Sequence, residues 1–199
     1  DAERKELLFR EADLLRERLD DKSGAIGVLE SVLEVDVDPR ATSQLEALYT
    51  DEGRFEDLVA LYERMLEGSS GSGTDAASLR VKIAKTARNK LSDSPRAFDE
   101  LVEALSQDPA HDAAIEELES ILAQGKPDEE GGGEAILEER ARAAEMLEPI
   151  YLRQGDWAKV KATLEARLDA SQDPGERGEL LKRLSTLHED QLGDYASEL

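Results

Sequence analysis

"LEALYTDEGRFEDLVALYERML" (Leu45–Leu66) and "LEPIYLRQGDWAKVKATLEARL" (Leu147–Leu168) lie 102 residues apart and agree at seven of 22 positions. The shared residues are Leu, Glu, Tyr, Gly, Ala, Glu and Leu. Leu58, Leu61, Tyr62 and Met65 recur at helical spacing. Each copy therefore reads as two helices joined by a tight turn. Gly53 and Gly155 sit in that turn and should make it tight. Trp157 is the only Trp of the chain, and Phe55 holds its slot in the other copy. It reads as a packing wedge rather than a ligand platform, because a large aromatic buries much apolar area at a repeat joint.

A second repeat class surrounds the first. "ERKELLFREADLLRERL" (Glu3–Leu19) and "ERGELLKRLSTLHEDQL" (Glu176–Leu192) agree at eight of seventeen positions at an offset of 173. "DAASLRVKIAKTARNKL" (Asp75–Leu91) keeps Leu79, Ala84 and Leu91 in the places of Leu7, Ala12 and Leu19. Leu-x-Asp follows in every copy: Leu19/Asp21, Leu91/Asp93 and Leu192/Asp194. Leu8, Ala12, Leu15 and Leu19 are spaced for one helical face. Clusters of Asp, Gly and Pro at "DVDP", "DEG", "SDSP", "QDP" and "SQDP" end one helix and cap the next. The expectation is about ten helices with short connections. The spacing between second-class copies leaves 29 extra residues between Pro109 and Arg140, around the acidic loop "QGKPDEEGGGE".

Composition limits function. Net charge is −22, with 36% charged residues and 4% aromatics. Such a field repels nucleic-acid backbones and anionic lipid surfaces. No apolar run approaches the ~20 residues of a membrane span. With no cysteine, thiol catalysis, thiolate metal sites and disulfides are excluded. His111 and His188 have no ligand partner at metal spacing; His111 reads as a surface residue and His188 as part of a packed face. "GSSGSGT" (Gly68–Thr74) lacks the lysine of a phosphate loop and reads as a flexible connection. No cofactor, metal or catalytic residue is expected.

Together these residues resemble the tetratricopeptide repeat, in a degenerate array of the bacterial type. Leu45, Tyr49, Gly53 and Phe55 fit its spacing, as do Leu147, Tyr151, Gly155 and Trp157. Ala97, Leu101, Ala104, Leu105 and Pro109 fit its second helix. The small residue expected after the first Leu is Glu46 or Glu148 here, and Pro149 falls inside a helix. The resemblance implies an all-α, right-handed solenoid of about five stacked antiparallel helix pairs. Residues 1–199 would form a single repeat domain, a piece of a longer array, with flexible loops at 68–74 and 124–134.

The same resemblance implies a non-catalytic scaffold that binds a protein or peptide on its concave face. Arg10, Lys82 and Arg183 share one register position, and so do Arg18 and Lys90. By resemblance these five cations line the groove and suit an acidic segment or a C-terminal carboxylate. Two alternatives stand. The cations pair with acids of neighbouring helices, or the chain is a spacer or regulatory segment of a larger protein. Uncapped ends would also favour end-to-end self-association.

Overall fold

Several helices begin where a carboxylate caps them, and four stop where the backbone turns left-handed, at Asp20, Gly53, Ser92 and Gly155. The computed structural model describes residues 2–34, 37–68, 74–125 and 133–190. Among the described residues there are ten α-helices and no strand. They are α1 (Ala2–Arg18), α2 (Lys22–Leu33), α3 (Pro39–Asp51), α4 (Phe55–Gly68), α5 (Thr74–Leu91), α6 (Ser94–Gln107), α7 (Asp112–Leu122), α8 (Gly133–Gln154), α9 (Trp157–Ala170) and α10 (Pro174–Asp190). Asp21, Asp38, Asp93 and Asp156 accept backbone N–H groups at the starts of α2, α3, α6 and α9. Each cap contributes about 1 kcal/mol.

The Leu-x-Asp motif is a stop followed by a start. Its middle residues, Asp20 and Ser92, have φ of 53° and 55°. The next N–H then turns back on the helix, from Asp21 to the Leu15 carbonyl and from Asp93 to the Ala87 carbonyl, both at 2.9 Å. The same aspartates cap α2 and α6. The third copy, Leu192/Asp194, and the bulk of both proposed flexible loops lie outside the described residues.

Gly53 and Gly155 both have φ of 68°. In each turn two N–H groups close back on the helix: Arg54 on Tyr49 (2.8 Å) with Gly53 on Thr50 (3.3 Å), and Asp156 on Tyr151 (3.1 Å) with Gly155 on Leu152 (3.3 Å). This double closure satisfies carbonyls that would otherwise be orphaned at a helix end. Trp157 and Phe55 each open the following helix and are half-buried.

Helices pack on their neighbours in sequence, from α1 with α2 through α5 with α6, and from α7 with α8 through α9 with α10. The chain divides into two compact units, residues 1–108 and 109–199. Each is an α-solenoid segment in which apolar faces are buried between successive helices. Ile26, Leu29, Leu45, Tyr49, Val59 and Ile83 belong to the first core. Leu118, Ile121, Leu147, Tyr151 and Leu164 are buried in the second unit.

The irregular segment after Pro109 has a simple origin. "AIGVLESVLE" (25–34) in α2 and "AIEELESILA" (114–123) in α7 agree at six of ten positions, at an offset of 89. The helices α7–α10 thus repeat α2–α5, in order. The 13 additional residues (102 − 89) fall between α7 and α8, where the acidic Gly-rich stretch lies.

Some side chains depart from expectation. On α1 the buried residues are Phe9 and Ala12, flanked by Leu8 and Leu15; Leu19 is exposed. His111 is buried, not on the surface. Its Nδ1 accepts the Ala114 N–H at 3.3 Å and so caps α7. His188 is exposed rather than packed.

Candidate functional site

The polar residues that recur with the repeat gather where three helices meet. At α2–α3–α4, the Tyr49 hydroxyl donates to Glu30 at 2.7 Å, and the Arg54 guanidinium lies 5.0 Å from the ring centre. At α7–α8–α9, the Tyr151 hydroxyl donates to Glu119 at 2.8 Å, and Lys159 lies 5.0 Å from that ring. Lys159 also donates to Glu119 at 2.7 Å. Ring and carboxylate keep their register positions, but the cation does not. Arg54 and Asp57 pair at 2.6 Å in the first copy. Asp156 and Lys159 occupy those two positions in the second, with the charges exchanged.

The next joint carries the predicted basic strip. Glu46 on α3 accepts from Tyr62 of α4 at 2.8 Å and from Lys82 of α5 at 2.9 Å. The Lys82 ammonium also lies 5.2 Å from the Tyr62 ring centre. Lys90 lies 5.3 Å from the Phe55 ring centre. In the second unit Glu148 stands for Glu46. It accepts from Arg167 at 3.0 Å and from Arg183. The unusual glutamates and the repeated cations are therefore two halves of one helix–helix contact. The partner could not be read from spacing, because 47 acidic residues offer too many candidates.

Arg10 has the weakest setting of the three equivalent cations. Its nearest carboxylate is Glu6 on its own helix, 3.7 Å away and also exposed. Arg18 is exposed as well.

Electrostatics follow this geometry. Burial, then the hydrogen bond to glutamate, pushes the hydroxyls of Tyr49, Tyr62 and Tyr151 well above the ordinary tyrosine range. Lys159 and then Tyr151 hold the Glu119 carboxyl below its usual value. Glu119 in turn raises Lys159. These are joints that favour one protonation state, not groups poised to exchange protons near neutrality. Among the described residues no three metal-ligating side chains gather. No described helix is long and apolar enough to cross a membrane.

One concavity touches the strip. A cleft of about 440 Å³ lies among α8, α9 and α10. Buried Val160, Leu164 and Leu187 line it together with Leu152, Glu179, Lys182, Arg183 and Thr186. It joins an apolar surface to a polar edge with two cations, Lys182 and Arg183, and one carboxylate, Glu179.

Residues 41–76, which span α3, α4 and the start of α5, match the family model for the tetratricopeptide repeat. The chain is also similar to the crystal structure of the MamA protein, at 17% identity and a TM-score of 0.47, covering 100% of this chain and 98% of that one. No curated protein matches the sequence.

Proposed function

We propose that this chain, which carries a tetratricopeptide repeat, is a non-catalytic protein–protein interaction scaffold that takes a peptide or helix on the concave face of its hairpins. The observation that carries the reading is the cleft at α8–α10, where Leu152 and the cationic Lys182 and Arg183 flank apolar Val160 and Leu164. An extended segment with an apolar side chain beside a carboxylate fits that chemistry. Arg10, Arg18, Lys82, Lys90 and Arg183 are the candidate contacts. Glu46 and Glu148 already hold Lys82 and Arg183. An incoming carboxylate must share or displace those partners, which favours selective over tight binding.

The test is a peptide array of acidic and C-terminal-carboxylate segments probed with the intact chain. The triple variant Arg10→Gln, Lys82→Gln and Arg183→Gln removes the charge without setting two carboxylates together. It should abolish selective capture while leaving far-UV circular dichroism unchanged. Undiminished capture by the variant removes these cations from the site.

A second reading has an observation of its own. Because Lys82 and Arg183 are occupied inside the chain, the joints serve a spacer equally well. A spacer would select no peptide from the array.

A further inference from the structure

The face of α1 that carries Leu7, Arg10, Leu14 and Arg18, with Leu19 just past its end, has two internal counterparts, and in both the residues that answer Leu7 and Leu14 are packed or buried. Leu7 and Leu14 are 63% and 57% exposed. Their equivalents on α10, Leu180 and Leu187, are 2% and 8% exposed. On α5, Leu79 and Leu91 pack against the first core, and Thr86 is buried. Helix α5 packs on α4 and helix α10 on α9. Each is therefore covered by the hairpin that precedes it.

The polar positions agree. Lys82 lies over Tyr62 and meets Glu46, and Lys90 lies over Phe55. Arg10 and Arg18 are their register equivalents, yet among the described residues no ring lies beside them and only Glu6 is within salt-bridge reach of Arg10. Two leucines and two cations on α1, with Leu19 just past its end, thus present the receiving half of a contact whose other half is known from α3–α4.

The geometry points to a docking site on α1 for a helical hairpin of a partner polypeptide. Its second helix would carry aromatic residues seven positions apart, as Phe55 and Tyr62 are, over Arg18 and Arg10. Its first helix would carry a glutamate to meet Arg10. Its apolar side chains would cover Leu7, Leu14 and Leu19. A second copy of this chain does not meet that specification, because its α3–α4 and α8–α9 hairpins already cover α5 and α10. This surface belongs to the first unit and the α8–α10 cleft to the second, and it shares only Arg10 and Arg18 with the groove reading.

The test compares amide hydrogen exchange in α1 of the full chain with that of the same chain extended at its N-terminus. The extension is a duplicate of residues 39–68 followed by the natural connection 69–73. Exchange across residues 7–19 should slow by about tenfold or more in the extended chain. Leu7→Glu with Leu14→Glu should abolish the slowing; both positions are exposed, so the rest of the fold keeps its protection. Phe55→Ala and Tyr62→Ala in the duplicate alone should weaken it. Equal exchange with and without the extension overturns the proposal. So does a dimer of the unextended chain, seen by sedimentation, that the Leu7/Leu14 variant dissociates, because the face then belongs to a second copy. Neither readout uses Lys82, Lys90 or Arg183, so failure here leaves the groove reading standing.

Discussion

The joint at α3–α4–α5 and the joint at α8–α9–α10 share a register but are wired differently. In the first, a half-exposed Glu46 meets a tyrosine and a lysine. In the second, Glu148 is nearly buried, its side chain 10% exposed, and meets two arginines. Tyr62 has become Leu164, and Met65 has become Arg167. The apolar framework beneath is held constant: Leu45 and Leu147 are both fully buried. Repetition thus preserves volume and apolarity while the polar layer drifts, because packing is unforgiving and hydrogen bonds can be re-formed from new donors.

The framework should give the largest and most equal effects. Leu45→Ala and Leu147→Ala should each cost about 2–5 kcal/mol, measured by urea denaturation. A silent result at either site would mean that the two units do not share a framework.

The glutamates should then separate the joints. Glu148→Ala leaves the partly buried Arg167 only its longer contacts to Glu145 and Glu176, at 3.7 and 3.5 Å, and should cost about 1–3 kcal/mol. Glu46→Ala leaves a solvated lysine and a tyrosine hydroxyl, and about 1 kcal/mol or less is expected. Equal losses would show that burial does not distinguish the two.

The aromatic wedge comes next. Trp157 is half-buried, so Trp157→Ala should cost about 1–2 kcal/mol, less than a core aromatic. Trp157→Phe should stay within about 0.5 kcal/mol, since Phe55 fills the same slot.

The smallest effect is the pH dependence of the Glu119 joint in the second unit. The Glu119 pKa is depressed on folding. Its contribution is therefore present above the ordinary glutamate pKa and lost as pH falls through the lowered value. Glu119→Gln should flatten the acid limb of stability below about pH 4.5. An unchanged limb would show that Lys159 does not favour the carboxylate.

Turns and helix order were legible because backbone rules are local. Gly53 and Gly155 announced tight turns, and the aspartates announced caps. The repeat registers of Tyr49, Tyr151, Phe55 and Trp157 were also legible, since apolar slots recur at fixed spacing. The kinship of α7 with α2 was not, because 13 inserted residues shift its offset from 102 to 89. Nor was the tie of Lys82 to Glu46 and of Arg183 to Glu148, which depends on how helices cross. His111 misled for a related reason. A histidine at a helix start looks exposed until its ring is seen to turn inward as a cap.

The short turns inside the hairpins have a consequence for how the chain assembles. Two hairpins with closely matched apolar faces invite each other's partners during folding. Charge does not reject the mistake, because α4 on α7 and α8 would bring Arg54 together with Asp57, and Arg54 would meet Glu119 as it meets Glu30. Chain connection rejects it instead: three residues join α3 to α4 and two join α8 to α9, so each helix meets its own partner at a far smaller loop-closure cost than a distant one.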